Sequence, residues 1–126
     1  MMTERKNVLG YELELCSCSP MTGFFRDGIC RTDQNDLGSH TVCAVMTEEF
    51  LSYSKAMGND LSTESPEFNF PGLKAGDHWC ICAPKWLEAY IDGMAPYVIL
   101  ESCDEQCLRY IRLEDLKSKE YTKDKS

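Results

Sequence analysis

Long apolar runs are missing from this 126-residue chain. No stretch approaches the ~18 residues that would cross a bilayer, so the reading is of a soluble protein with no membrane partner. Basic residues are scarce where a fold would form. From Asn7 to Leu116 there are 7 Lys/Arg against 18 Asp/Glu, and the whole chain carries a formal charge of −8. Such a surface repels phosphate backbones, and no basic patch interleaved with aromatics occurs, which argues against nucleic acid as a partner. A Gly-rich phosphate loop, a Ser nucleophile elbow and a helical zinc-protease motif are also missing. So is the apolar core of a signal peptide: MMTERKNVLGYELELC alternates Glu and Leu after its charged start, and the expectation is a cytoplasmic protein.

Cysteine, by contrast, is plentiful, at eight residues. In a short secreted chain that number would mean a disulfide framework. Here the missing leader and a length sufficient for a core favour reduced thiols.

The order of elements is readable from periodicity and punctuation. Tyr11 to Leu15 alternates apolar and acidic residues and predicts a strand with one wet face. From Cys16 to Ser39 the chain is rich in Pro, Gly, Asp and Asn, with turns expected at Pro20-Met21-Thr22-Gly23 and Arg26-Asp27-Gly28. More than about 15 irregular residues inside a compact domain are more often functional than mere connection. Thr41 to Met46 predicts a strand covered on both faces. Thr47 as N-cap, Glu48 and Glu49 at the positive end and Gly58 as stop predict a helix from about Glu48 to Met57, with Phe50, Leu51, Tyr53, Ser54 and Met57 as its inner face.

A second strand-helix unit follows the loop from Asn59 to Gly76. His78 to Ala83 forms the strand, Pro84 opens the helix, Trp86, Leu87, Tyr90 and Ile91 face inward, and Gly93 ends it. Tyr97 to Leu100 predicts a third strand. Ser102 with Glu105 reads as a capping box for a helix through about Tyr110, and a last turn runs from Glu114 to Lys119. This order predicts a single α+β domain over residues 7–117, a small mixed sheet with helices mainly on one face, flanked by flexible termini at 1–6 and 118–126. A partly open β-barrel with added helices is the alternative. Phe24, Phe25, Phe50, Trp79, Trp86 and Tyr90 are read as core.

Several strings carry a resemblance: NVLG at residues 7–10, PMTGFFRDG at 20–28, HTVCAVMT at 40–47, GNDLST at 58–63, FPGLKAGDHWC at 70–80 and LEDLK at 113–117. Together they resemble a family of small bacterial and plant proteins catalogued as a domain of unknown function, over about Asn7 to Lys117. The resemblance implies no activity. It does sort the cysteines, since Cys16, Cys30, Cys43, Cys80 and Cys82 fall where the family pattern carries Cys. Cys18, Cys103 and Cys107 depart from it, His40 and Arg26-Asp27 lie inside it, and His78 stands where the pattern has Arg.

Three readings of the chemistry follow from the residues. Thiolate and imidazole donors suit zinc, and Cys30, Cys43, Cys80 and Cys82, or His40 replacing one of them, could form a composite metal site. On an extended segment Cys80 and Cys82 share a face, while Trp79 and Ile81 take the other. Alternatively Cys82, just before a helix start, is placed as a nucleophile, with Cys80 as resolving thiol, His40 as base and Asp27 or Asp77 as orienter. Arg26 and Asp27 could hold a small anionic ligand, although Asp27 before Gly28 is equally good turn chemistry. The bland reading of every one of these thiols is a small buried hydrophobe. The leading expectation is a cytosolic ligand- or metal-binding domain, its Cys/His/Arg site lying between the 16–39 loop and the 78–83 strand. A cysteine-dependent redox or transfer enzyme is the second reading, and purely structural thiols the third.

Overall fold

Hydrophobic alternation and helix caps produce a small α+β domain, seen in a computed structural model that describes residues 6–18, 21–36, 38–68 and 72–122. Strand β1 (Val42–Val45) is buried at all four positions, as its apolar run requires. It is the central strand of an open three-stranded sheet of order β2-β1-β3, with β2 at His78–Ile81 and β3 at Tyr97–Val98. Both pairings are antiparallel, so the sheet is not the mixed one expected, nor does it close into a barrel. Opposite residues of an antiparallel pair share a face. Cys43 therefore stands beside Cys80, and Ala44 beside Trp79.

Helix α1 (Glu48–Ala56) starts where Thr47 accepts a hydrogen bond from the Phe50 amide at 3.0 Å, and Phe50, Leu51 and Ser54 are buried beneath it. Met57 is exposed. Gly58 follows in the left-handed conformation that only glycine adopts without cost, and the helix stops there. Helix α2 (Ala83–Ile91) has Pro84 in its first turn. Its Trp86 is fully buried, stacked on Tyr90 with its indole N–H donating to the Pro96 carbonyl, and Ala89 is buried beside it. Ile91, expected on the inner face, is exposed, as are Phe24 and Phe25.

Other expectations give way for identifiable reasons. Among the described residues Tyr11 to Leu15 has no ladder: Leu13 is buried and the Glu14 amide donates to the Glu101 carbonyl, while Glu12 forms an isolated bridge with Lys6. The Ser102 hydroxyl donates to the Leu15 carbonyl, and Ser102 lies inside a 3-10 turn rather than at a helix start. Asp104 caps instead, accepting from the Gln106 amide, and the segment forms two 3-10 turns, Leu100–Ser102 and Glu105–Arg109. A third short turn covers Pro66–Phe68. Helix α3 (Leu113–Lys117) closes the fold. In the tail expected to fray, the Lys119 carbonyl accepts the Val98 amide of β3 and the Tyr121 amide donates to the Val98 carbonyl. The start of the turn at Pro20 and both extreme termini lie outside the described residues. Among the described residues no helix is long and apolar enough to cross a membrane.

Candidate functional site

Four of the eight cysteines are not thiols, contrary to the expectation of reduced sulfur. Cys16 is bonded to Cys43 and Cys30 to Cys80, with Cα separations of 5.8 and 5.3 Å. Both bonds run from the long irregular loop to the cross-strand pair Cys43 and Cys80, so the sheet anchors the loop at two adjacent points. The sulfurs of Cys16, Cys30 and Cys80 lie within 4.8 Å of one another, and all are buried. Cys80 is therefore unavailable as a resolving thiol for Cys82, because its sulfur is bonded to Cys30. The expected metal set is divided: Cys30, Cys43 and Cys80 gather with Cys16, while Cys82 and His40 pair with each other.

Chain direction separates Cys82 from Cys80. Ile81 ends β2, and Cys82, with φ −64° and ψ 132°, is the N-cap of α2. The Ala83 amide donates to the Ser39 carbonyl at 3.0 Å and so ties the helix start to the end of the loop. This brings the half-buried Cys82 Sγ to 3.3 Å from His40 Nε2. On the other side of the ring, His40 Nδ1 is 2.7 Å from Asp36 Oδ1. Asp36 Oδ2 accepts the His40 backbone amide at 2.8 Å and the Thr32 hydroxyl at 2.9 Å. One carboxylate thus fixes both the backbone and the ring of His40.

The electrostatics follow from these contacts. The Cys82 hydrogen bond is the largest influence on His40, and with Asp36 it outweighs burial and raises the imidazole from 6.5 to about 9. Burial pulls the Asp36 carboxyl upward, but the His40 amide and ring and the Thr32 hydroxyl together lower it. The imidazolium form of His40 is favoured at neutral pH, between a sulfur and a carboxylate. Gly38 leaves room for the pair, since a Cβ there would sit 2.9 Å from Cys82 Sγ and 3.1 Å from His40 Cε1.

A cavity of about 560 Å³ lies beside this arrangement and shares His40 with it, while Cys82 and Asp36 stand behind the ring, outside the cavity's lining. Phe24 stacks on the imidazole, with centroids 6.2 Å apart, and the Arg26 guanidinium lies 5.2 Å from the Trp79 ring centroid. Arg26 and His40 are the basic residues of the cavity wall. Arg26 adopts φ 56° and Ser39 φ 51°, and they are the only non-glycine residues in the left-handed region among those described. Asp27 accepts from the Ile29 amide and pairs with Arg31 at 2.7 Å. Asp77, the other expected orienter, accepts from the Lys74 amide.

The remaining sulfurs and the second histidine stand apart. Burial pushes the Cys103 thiol up to about 12 and raises that of Cys107 as well, so both are inert packing groups. Cys18 is exposed. His78 begins β2, half-buried, with Nδ1 3.3 Å from the Cys16 carbonyl. Asp36, Gly38 and Thr22, whose buried hydroxyl accepts the Cys80 amide at 2.8 Å, were not singled out from sequence. The four-residue spacing of Asp36 and His40 is the signal that could have found the first.

Fold and site together define a class: a small antiparallel α+β domain whose sulfur-anchored loop delivers a histidine and an aspartate to a thiol at a helix start. Residues 6–120 match the family described as uncharacterized protein conserved in bacteria (DUF2237), and the chain belongs to that family. No curated protein matches the chain.

Proposed function

We propose that this is a cysteine-dependent transfer enzyme or hydrolase in which Cys82 is the nucleophile, His40 the acid-base group and Asp36 the residue that orients it. One observation carries this reading: Cys82 Sγ, His40 and Asp36 stand in hydrogen-bonded sequence, at 3.3 and 2.7 Å. That is the nucleophile-base-orienter arrangement that activates a thiol for covalent catalysis. In the proposed reaction the Cys82 thiolate attacks an electrophilic acyl carbon. His40 gives its proton to the leaving group, and a thioester remains on Cys82. Water or another acceptor then attacks the thioester while neutral His40 takes the acceptor's proton, restoring the starting pair.

The cavity supports a small substrate with one carboxylate or phosphate held at the Arg26 end, where the guanidinium, 5.2 Å from the Trp79 ring centroid, offers a forked donor; Asp60 and Glu64 on the same wall would face an uncharged or cationic part of it. A cytosolic setting, the expectation from the sequence, requires the four paired sulfurs to be held in another form.

The test is the rate of alkylation at neutral pH, read by peptide mass spectrometry, with exposed Cys18 as internal reference. Iodoacetate should modify Cys82 at least about tenfold faster than Cys18 and faster than neutral iodoacetamide does. His40→Gln and Asp36→Asn should erase the advantage, and Arg26→Gln the preference for the anionic reagent. A Cys82 that labels no faster than Cys18 would end the proposal.

A further inference from the structure

We infer that Cys16, Cys30, Cys43 and Cys80 form, in the reduced protein, a tetrathiolate site for one Zn²⁺, of which the two disulfides are the oxidised, metal-free state. The inference does not rest on the role of Cys82. Four sulfurs from four separate positions converge on one buried spot, where Cys30 and Cys43 are wholly inaccessible and Cys16 and Cys80 nearly so. Two come from the sheet as a cross-strand pair on one face, and two from the loop above it. Staples can hold a loop equally well at distant points. Here the two bonds lie side by side, with Cys16, Cys30 and Cys80 sulfurs mutually within 4.8 Å and Cys43 joined to Cys16. Zinc-sulfur bonds of about 2.3 Å at tetrahedral angles set sulfurs about 3.8 Å apart; Cys16, Cys30 and Cys80 already lie within 4.8 Å of one another, and Cys43, released from Cys16, has to turn toward them.

The neighbouring donors are engaged elsewhere. Cys82 and His40 hold each other, and Cys103 Sγ accepts from the Cys43 amide and donates to the Ile99 carbonyl, both at 3.3 Å. The set is therefore four thiolates, the ligand count of a closed structural zinc site.

The interconversion balances as thiol-disulfide chemistry. Two equivalents of a dithiol reductant give two electrons and two protons to each disulfide, leaving as disulfides themselves and producing four thiols. One Zn²⁺ then binds as the four thiols release their protons. In reverse, a disulfide-class oxidant removes four electrons and the ion departs. The loop is fixed to the same two strand positions in either state. Only a reduced, metal-free protein would lose the anchor.

The full chain is reduced with a phosphine under anaerobic conditions, freed of reductant and titrated with Co²⁺ as a spectroscopic probe, followed by displacement with Zn²⁺. One Co²⁺ per chain, with intense thiolate-to-metal charge-transfer absorption and tetrahedral d-d bands, is the expected result. Zinc should protect four of the eight cysteines from alkylation until a chelator is added. Cys82→Ser should keep the site and Cys43→Ser lose it. Should the reduced chain unfold, refolding on addition of Zn²⁺, followed by circular dichroism, supports the site. A reduced chain that takes up no Co²⁺, neither folded nor on refolding, overturns the inference, as does a site abolished by Cys82→Ser but retained in Cys43→Ser.

Discussion

His40 touches a sulfur through one ring nitrogen and a carboxylate through the other, and both contacts favour the proton it carries. The sign follows directly. A pKa raised from 6.5 to about 9 keeps the ring cationic at neutral pH and releases the proton only as pH climbs through about 9. An NMR titration should show the His40 ring midpoint near 9. In Cys82→Ser it should fall, because the largest upward influence is gone; a midpoint unmoved by that change would mean that the two side chains do not interact. The two partners were visible in the sequence as a thiol before a helix start and a histidine inside the family-like string of residues 40–47. The orienter was not. Asp27 and Asp77 turn inward on their own loops, and Asp36 reaches the ring only because the backbone reverses at Ser39 in the left-handed region. No periodicity encodes that reversal.

At the level of elements, legibility followed cooperativity. Strands β1 and β2 and helices α1 and α2 each combine an apolar pattern with a cap, a proline or a glycine, and all lie close to where the sequence put them. Thr47 is the clearest of these signals. Thr47→Ala should cost about 1 kcal/mol in urea denaturation, with little change in the slope, since it removes one cap bond and no core volume. A change below a few tenths would show that the cap is redundant. Segments that take their shape from a distant partner were misread. The alternation of Tyr11 to Leu15 imitates a strand, yet no neighbouring strand accepts its ladder. Ser102 imitates a cap, but its hydroxyl is held by Leu15.

Across the whole molecule, Asn7 ties the beginning of the described chain to its far half. Its side-chain amide donates to the carbonyls of Glu12 and Glu101, and its oxygen accepts the amides of Leu9 and Tyr11. The residue is buried, so Asn7→Ala leaves these groups without partners and should cost about 3 kcal/mol of unfolding free energy, measured by chemical denaturation. A cost under 1 kcal/mol would mean that water replaces the amide freely. The architecture was readable because a chain of this length has few ways to cover a three-stranded sheet. The meeting of four sulfurs was readable only in part: Cys30, Cys43 and Cys80 were grouped, but Cys16 stands where Cys82 was expected, because the fourth place depends on how a loop without periodicity folds back. That loop also holds Arg26 and Ser39 in left-handed backbone, a conformation that disfavours ordinary side chains by about 1–2 kcal/mol each. Natural or laboratory selection for heat resistance would be drawn to glycine at both positions, and would gain stability by giving up the cavity's guanidinium and loosening the approach to the imidazole. Robustness and the proposed chemistry therefore compete at two identifiable peptide units, and a lineage that relaxed them would be expected to keep the fold and lose the proposed reaction.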